Sequence, residues 1–279
     1  MSSPIYQLQN QQRTLTLETP RVMGVVNCTP DSFFAGSRAQ SQQQAVSHAS
    51  SMLEAGADLL DIGGQSSRPG AEEVGPEGEW QRIEGAIKGI LDAHPEALLS
   101  IDTFHHEVAG KALEAGAFMV NDIYAGTRDQ QMIKTVAAAQ APYAIMHMQG
   151  TPATMQHAPH YEDITSEILT WLQVQLADIH AAGVHSVVAD VGFGFGKTMA
   201  HNYQLLRELD EFAALNAPIL VGISRKSMIY KHLMCSPEEA LNGTTALHAW
   251  ALDRGAHILR VHDVSEAVET ISLHRALRG

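Results

Sequence analysis

The stretch AGADLLDIG, residues 55–63, contains the structural unit from which this chain is built. Gly56 stands between two alanines, and a glycine at such a point can take the left-handed conformation that ends a helix. The apolar run that follows, residues 58–63, has the length and composition of a parallel strand buried on both faces. The same joint recurs at residues 115–117, 182–184 and 254–256. The stretch therefore predicts a repeated helix-to-strand unit.

Eight such apolar runs alternate with helical patterns along the chain. They cover residues 21–27, 58–63, 97–102, 118–122, 143–148, 186–190, 218–223 and 258–261. Eight strands that alternate with helices across 279 residues predict an α/β fold of the (βα)8 TIM-barrel type. A doubly wound open sheet is the alternative, because periodicity alone does not show whether a sheet closes.

The chain is expected to form one domain over residues 1–279, with residues 1–20 as a short N-terminal extension. The sequence contains no linker, low-complexity segment or charge block that would mark a second domain. Apolar residues make up 45% of the chain and charged residues 18%, which is ordinary globular composition.

Charge and cysteine content narrow the class of function. A net charge of −13 disfavours binding to nucleic acid or to an anionic membrane surface. Two cysteines, Cys28 and Cys235, cannot make a disulfide framework, so a reducing compartment is expected. The N-terminus lacks the features of a signal peptide, and no apolar run approaches the ~18–20 residues of a membrane span. These features predict a cytoplasmic protein.

Cations gather where the predicted strands end, which is where a barrel carries its chemistry. Although the chain is acidic, positively charged side chains follow the second, seventh and eighth runs at Arg68, Arg225, Lys226, Arg260 and His262. Such a group suits a di- or triphosphate, and the loops after strands seven and eight are the usual phosphate site of a barrel. The alternative is that these cations balance nearby surface acids.

Asp102, Asp190 and the amide of Asn121 form a second group at strand ends. A buried carboxylate can accept two parallel hydrogen bonds from an amino group and an adjacent ring N–H. Guanine-like and pterin-like rings offer that edge. The alternative is that each carboxylate caps a neighbouring loop. Asp61 and Asp122 also stand at strand ends, with no role assigned to them.

Two other patterns do not indicate a site. The segment GFGFGKT, residues 192–198, resembles a nucleotide-binding loop, but Val191 stands where that motif requires its first glycine. We interpret the segment as a flexible loop. The 15 histidines include no zinc-ligand motif, and His105-His106 lacks ligand spacing.

Several motifs together resemble the dihydropteroate synthase family. The match runs in order from about residue 20 to residue 279 and includes MGVVNCTPDSF at 23–33, DIGGQSSRPG at 61–70, SIDT at 100–103, VNDI at 120–123, MHMQGTP at 146–152, the segment 190–197, VGISRKS at 221–227 and RVHD at 260–263.

The resemblance implies a transferase of folate biosynthesis. Such an enzyme joins 6-hydroxymethyl-7,8-dihydropterin pyrophosphate to p-aminobenzoate, which gives 7,8-dihydropteroate and pyrophosphate. It also implies that Mg²⁺ helps to hold the pyrophosphate, that sulfonamides compete for the aminobenzoate site, and that the chain forms a homodimer.

Family roles pass to matching positions of this chain. The resemblance implies a pterin pocket lined by Asp102, Asn121, Asp190 and Lys226, with Asp102, Asp190 and Lys226 as the catalytic residues. It implies pyrophosphate binding by Asn27, Ser67, Arg68, Arg260 and His262, with Asn27 also at the metal. It implies an aminobenzoate site bordered by Phe33, Pro69 and Ser227.

The chain departs from the family pattern at three positions. Gln65 stands where the family often has Glu, Ser67 where it has Thr, and Val191 where Pro commonly follows the aspartate. Two other functions remain open: a methyltetrahydrofolate-dependent corrinoid methyltransferase, which uses a similar barrel, and a pterin-binding protein without activity. Neither needs the cation group.

Overall fold

The structure is a computed structural model that describes residues 5–29, 38–65, 73–152, 154–155 and 158–278. Eight parallel strands close into a barrel. They are β3 (Arg21–Asn27), β4 (Leu59–Gly63), β5 (Leu99–Asp102), β6 (Met119–Asp122), β7 (Tyr143–Met146), β8 (Val187–Asp190), β9 (Ile219–Val221) and β10 (Ile258–Val261). The last strand pairs with the first, Ile258 standing beside Arg21. The predicted TIM barrel is confirmed, and each predicted apolar run contains one of these strands.

Helices surround the barrel and connect its strands. They are α1 (Arg38–Glu54), α2 (Pro76–Ala93), α3 (His106–Glu114), α4 (Gln131–Ala139), α5 (Ile164–Ala181), α6 (Met199–Arg207), α7 (Ser227–Leu233), α8 (Leu241–Asp253) and α9 (Val264–Arg278), with a 3-10 helix at Leu209–Leu215. Within the described residues, no helix is long and apolar enough to cross a membrane.

Glycine ends the helix at the joint from which the fold was predicted. Gly56 follows α1 with φ +100°, a conformation that a side chain would strain. The equivalent glycines before β6, β8 and β10 have φ between +91° and +105°. The left-handed ends expected from the sequence are therefore present, and each turns the chain from the outer layer into the barrel.

A hairpin that the apolar pattern did not predict closes the N-terminal end of the barrel. Strands β1 (Tyr6–Gln9) and β2 (Thr14–Leu17) pair antiparallel within the expected extension. Leu8, Leu15 and Leu17 are buried in one cluster with barrel residues such as Phe118 and Met23. Three buried leucines and the partly buried Tyr6 are all that attach this hairpin to the cluster, which explains why a polar, Gln-rich segment concealed it.

The hairpin makes a testable contribution to stability. Leu8 is 1% exposed, so Leu8→Ala should destabilise the protein by about 2–5 kcal/mol through lost apolar burial and a cavity. Ile5 lies just outside the hairpin and is 62% exposed, so Ile5→Ala is the matched control and should change little. Chemical denaturation measures both. Equal, small changes would show that the hairpin does not contribute to the core.

Candidate active site

The carboxyl ends of the barrel strands bring together most of the predicted site residues. Asp102, Asn121 and Asp190 are the last or next-to-last residues of β5, β6 and β8. Asn121 and Asp190 are buried and Asp102 is partly buried. Closure of the barrel places these strand ends around one rim, which the separate positions in the sequence do not show.

Arg260 on β10 links two of the strand ends. Its Nε donates to Asp61 Oδ2 at 2.6 Å and its Nη2 donates to Asp102 Oδ2 at 2.8 Å. Asp61 is 0% exposed. The sequence-based grouping placed Arg260 with the phosphate cations, away from the carboxylates expected to meet the ring. The structure corrects that separation, because the guanidinium lies directly against Asp102.

Burial and neighbouring charges set the ionisation of this pair. Burial raises the pKa of Asp102 to about 7, opposed by Arg260 and reinforced by the negative charges of Asp61, Glu79 and Asp122. Burial alone would lower the pKa of Arg260, yet the Asp61 and Asp102 carboxylates raise it. The guanidinium therefore stays charged while Asp102 can exchange a proton near neutral pH.

Asp61 is the residue of this site whose role sequence reasoning missed. The same Oδ2 atom that accepts from Arg260 also accepts from Asn121 Nδ2 at 3.0 Å. Its place within the apolar run 58–63 was visible in the sequence, as was the carboxylate. What was not visible is that two predicted ligand-binding residues share one of its oxygens.

Asp122, by contrast, stabilises a loop. It accepts hydrogen bonds from the backbone N–H groups of Tyr124 and Gly126, and from the hydroxyl of Tyr143 at 2.7 Å. Burial raises the pKa of Asp122, and these hydrogen bonds oppose the shift. Asp122 therefore caps the loop that follows β6, which is the alternative role considered for a carboxylate at a strand end.

Asp190 and Lys226 are held by the loop that follows β8. The N–H of Gly192 donates to Asp190 Oδ1 at 2.7 Å, and Lys226 Nζ donates to the carbonyl oxygen of Phe193. Lys226 Nζ also lies 4.8 Å from the centroid of the Phe195 ring. Burial lowers the pKa of Lys226 to about 8, opposed by Asp190, while burial raises the pKa of Asp190.

The same loop, interpreted from its glycines as flexible, is tied down by Lys197. This side chain is 3% exposed, and its Nζ contacts Phe195 O at 2.9 Å and both the carbonyl oxygen and Nδ1 of His147 at 3.2 Å. Gly192, with φ +73°, passes so near His147 that a Cβ there would collide with the His147 carbonyl oxygen. The glycines serve close packing, which corrects the sequence-based interpretation.

Arg225 does not belong to the cation group predicted for a phosphate. Its Nε and Nη2 donate to the two carboxylate oxygens of Asp263 at 2.8 and 2.9 Å, and its Nη1 donates to the carbonyl oxygens of Pro237 and Glu238. A guanidinium paired in this way tethers the loops after β9 and β10. Arg225 therefore fits the alternative stated for the cation group, in which a cation balances a nearby acid.

The remaining predicted residues lie at the same rim or outside the described part of the chain. Asn27 ends β3 opposite Gly63 and is partly buried, and Ser227 opens α7. His262 follows β10, is exposed, and its backbone N–H and ring Nδ1 both lie 3.2 Å from Ser224 Oγ. The other predicted residues, Phe33, Ser67, Arg68 and Pro69, lie outside the described residues.

One set of potential metal ligands occurs within the described ranges. His106, Glu107 and Asp129 bring one ligand atom each within 4.8 Å of one another. Asp129, however, accepts from the backbone N–H groups of His106 and Gln131, at the starts of α3 and α4. Its carboxylate thus serves as a helix cap, a role that accounts for the cluster without an ion.

The fold and rim define a pterin-binding enzyme of the barrel class, since a family model described as "Pterin binding enzyme" matches residues 23–262. The chain is 43% identical over 268 residues to the dihydropteroate synthase of Escherichia coli strain K12, covering 95% of this chain and 94% of that protein. It belongs to the dihydropteroate synthase family, and it is a transferase of folate biosynthesis.

Solved structures agree with this assignment. A Yersinia pestis dihydropteroate synthase in complex with a sulfonamide drug matches with a TM-score of 0.92 and 40% identity, over 98% of this chain and 99% of that one. A Xanthomonas albilineans dihydropteroate synthase with 4-aminobenzoic acid also matches with a TM-score of 0.92 and 40% identity, over 99% of both chains. The family resemblance stated from the sequence motifs is confirmed, and the corrinoid methyltransferase alternative is set aside.

Proposed function

We propose that the rim residues of this barrel condense 6-hydroxymethyl-7,8-dihydropterin pyrophosphate with p-aminobenzoate in the roles that the family resemblance implied. The observation that carries the proposal is the convergence of Asp102, Asn121 and Asp190 with the cations Arg260 and Lys226 at one end of the barrel. Acceptors for ring N–H groups and donors for a leaving anion are then available within one site.

The pterin ring binds to the buried acceptors. Asp190 takes the amino edge, because an ionised carboxylate accepts two parallel N–H bonds, and Lys226 donates to the ring carbonyl. Asp102 and Asn121 contact the rest of the ring. The fixed loop behind Asp190 and Lys226 supports this assignment, since its backbone already binds one atom of each side chain and fixes its direction.

The pyrophosphate leaves toward the cations. Asn27, Ser67, Arg68, Arg260 and His262 hold the phosphates, and departure of pyrophosphate puts positive charge on the methylene carbon conjugated to the ring. The carboxylates Asp102 and Asp190 stabilise that charge in a site from which water is largely excluded. Burial raises the pKa of Asp102 to about 7. Positive charge on the bound ring would lower this pKa and so favour the ionised form of Asp102.

The residues at the rim fit a magnesium ion held mainly by substrate. Mg²⁺ prefers oxygen ligands, retains several waters and is often bound through one or two protein groups plus phosphates. Asn27 offers an amide oxygen, is partly buried, and ends a strand at the rim, so it would be the protein ligand. When bound, the ion neutralises negative charge on the leaving pyrophosphate.

The aminobenzoate site is bordered by Phe33, Pro69 and Ser227. The aniline nitrogen attacks the methylene carbon and then loses a proton; because an aniline is weakly basic, no strong general base is needed. The sulfonamide drug and the 4-aminobenzoic acid in the complexes of the two structural relatives support an aminobenzoate site that sulfonamides occupy in this chain too.

A pyrophosphate-release assay tests the proposed function. Purified protein is given the pterin pyrophosphate with and without p-aminobenzoate, and both pyrophosphate and dihydropteroate are measured. Equal amounts of the two products, dependent on both substrates, are expected. Pterin binding without product would instead indicate a binding protein and would overturn the proposal.

Binding of pyrophosphate and of a sulfonamide should be coupled. The proposed anion ligands and aminobenzoate neighbours stand close together in the sequence, Asn27 with Phe33 and Ser67-Arg68 with Pro69, so an anion bound by the first group should favour binding of the second ligand. A sulfonamide should bind more tightly with saturating Mg²⁺ and pyrophosphate, by a coupling of ~1–3 kcal/mol that is reciprocal. Calorimetric titrations with and without the anion measure it; identical affinities would contradict the assignment.

We also propose that the chain is a cytoplasmic homodimer. Leu233 and Met234 at the end of α7 and Trp250 on α8 are large apolar side chains exposed by 49%, 92% and 47%, which supports a partner surface on these neighbouring helices. The two cysteines are unpaired, which supports a reducing compartment. Analytical ultracentrifugation measures the oligomeric state, and a concentration-independent monomer would contradict the dimer.

A further inference from the structure

Asp61 lies beneath the proposed pterin pocket with no assigned role. It is a central residue of β4, its side chain is fully buried, and its Oδ2 accepts from Arg260 Nε at 2.6 Å and from Asn121 Nδ2 at 3.0 Å. These two donors come from β10 and β6. One carboxylate oxygen therefore fixes two side chains from strands that lie two places away from β4 on either side.

Stability alone gives a poor reason for a carboxylate at this position. Burying an ionised group is costly unless all of its hydrogen-bonding capacity is used. Yet Asp61 Oδ1 is buried and has no hydrogen-bond partner among the described residues. The charge of Asp61 also stands near Asp102, which already shares the same guanidinium. A residue kept at such a cost calls for an explanation in function.

We propose that Asp61 is a positioning residue for the condensation, which holds the Arg260 guanidinium and the Asn121 amide in the orientations in which they meet the pterin substrate. The inference rests on the proposed function, because it takes Arg260 and Asn121 as substrate-binding groups. In this role Asp61, whose side chain is fully buried, acts through these two side chains and not by contact with substrate. It acts before binding, so that the two side chains need not be ordered when the ring arrives.

The geometry explains how one contact can orient both partners. A hydrogen bond at Nε fixes the plane of a guanidinium, and the bond from Arg260 Nη2 to Asp102 then follows without further rotation. For Asn121, a carboxylate can accept only from the amide nitrogen, so Asp61 decides which way that amide faces. An uncharged side chain would lose this selection.

Asp61 also affects the ionisation of Asp102. The charged groups around Asp102 are Arg260 on β10, Asp61 on β4, Glu79 on α2, Asp122 on β6 and, farther away, Lys226 beyond β9. Among them Asp61 raises the pKa of Asp102 and Arg260 lowers it. Removing the charge of Asp61 should therefore lower the pKa of Asp102, and it also leaves Arg260 to pair with Asp102 alone.

The test compares Asp61→Asn with Asp58→Asn. Asp58 stands just before the same strand, at the opposite end of the barrel, where it pairs with Arg21 at 3.0 Å and accepts from the N–H of Val22. Both changes remove a carboxylate that binds one arginine and one N–H donor. Binding of 6-hydroxymethylpterin is measured by calorimetry between about pH 5 and pH 9, with the KM for each substrate.

Asp61→Asn should weaken pterin binding by about tenfold or more, raise the KM for the pterin pyrophosphate and leave the KM for p-aminobenzoate nearly unchanged. The acid limb of its binding profile should move to lower pH by about one unit. Asp58→Asn should change none of these. The proposal would be overturned if the acid limb of the Asp61→Asn binding profile lay at the same pH as that of the wild type. Equal effects in the two variants would also overturn it.

A second measurement uses the unaltered protein and covers the case in which Asp61→Asn does not fold. The Arg260 Nε–H, assigned by nitrogen-15 NMR with Arg260→Lys, should exchange slowly with solvent in the free protein and change little when 6-hydroxymethylpterin binds. Rapid exchange that becomes slow only on binding would show that the pterin, and not Asp61, orders the guanidinium.

Failure of the inference can be told apart from failure of the proposed function. If Asp61→Asn changes nothing while the wild type releases pyrophosphate and Asn121→Ala loses pterin affinity, only the positioning role falls. If Asn121→Ala and Asp190→Asn also leave pterin binding unchanged, the residue assignments themselves are wrong, and the positioning role falls with them.

Discussion

Arg260→Met is expected to destabilise the protein by about 3–5 kcal/mol, because it removes the counter-ion shared by two carboxylates. Asp61 is fully buried and Asp102 largely so, and each accepts a short hydrogen bond from the guanidinium. Methionine fills much of the arginine volume, so the loss is mainly one of charge. The free energy of unfolding, from chemical denaturation, measures it.

The destabilisation should depend on pH in a stated direction. Burial raises the pKa of Asp102 to about 7 even with Arg260 present, and removal of this opposing cation raises it further. An acid whose pKa is raised on folding loses stability as the pH rises from its unfolded value, near 4, toward its folded value. The variant should therefore be closest to the wild type at acidic pH and farthest from it above neutrality.

Two further variants make the Arg260 result specific. Arg254→Met removes an arginine that pairs with Asp210 at 3.0 Å on the surface, and it should cost less than about 1 kcal/mol. Adding Asp61→Asn to Arg260→Met should recover part of the lost stability, since one uncompensated charge disappears. If both arginine variants lose equally little, the buried network is not a source of stability, and its carboxylates do not depend on Arg260.

Asp190→Asn is expected to keep the fold and to weaken binding of the pterin pyrophosphate by roughly 5- to 100-fold. An asparagine oxygen can still accept from the Gly192 N–H, now 2.7 Å from Asp190 Oδ1. Its Nδ2 then replaces the second carboxylate oxygen and faces the donor edge of the ring. A mispaired buried polar contact of this kind costs ~1–3 kcal/mol. Calorimetry with the wild type as reference measures the loss.

Asp122→Asn is the matched control for Asp190→Asn. It changes the same residue type at the end of β6, two strands from β8 in the barrel, but the oxygens of Asp122 accept from Tyr124, Gly126 and Tyr143. Asp122→Asn should lower the free energy of unfolding and leave pterin affinity nearly unchanged, because the new amide N–H group would face other donors within the loop. If Asp122→Asn lowers pterin affinity as much as Asp190→Asn does, recognition of the ring is not localised at Asp190.

Much of the fold was predictable because each barrel strand and several helix ends are marked by patterns within a few residues of sequence. Each strand is a short apolar run, and the glycines before β4, β6, β8 and β10 take the left-handed conformation that the joint at Gly56 predicted. The hairpin at residues 6–17 was not predictable in this way. Its strands are polar on one face, and Leu8 and Leu17 acquire their importance only when they cover the open end of the barrel.

The sequence predicted which residues stand at the candidate site, but it did not predict which side chains pair with one another there. Arg225 and Arg260 both follow barrel strands and looked alike in sequence. Arg225 pairs with Asp263, which tethers a loop, whereas Arg260 pairs with Asp61, a residue 199 positions away. Similarly, the glycines near Lys197 suggested flexibility, but that lysine is buried against His147 and fixes the loop.

The sequence by itself determined the eight strands, their alternation with helices, the family and the residues that stand at strand ends. These features depend on side-chain polarity and backbone preference within a few residues, and on motifs that remain contiguous along the chain. Only the tertiary structure decided that Asp61 holds Arg260 and Asn121, that Arg225 is taken by Asp263 and that Lys197 is buried. A buried charge is governed by whichever opposite charge or carbonyl the closing barrel brings within about 3 Å, and that distance is set by the packing of all eight strands together.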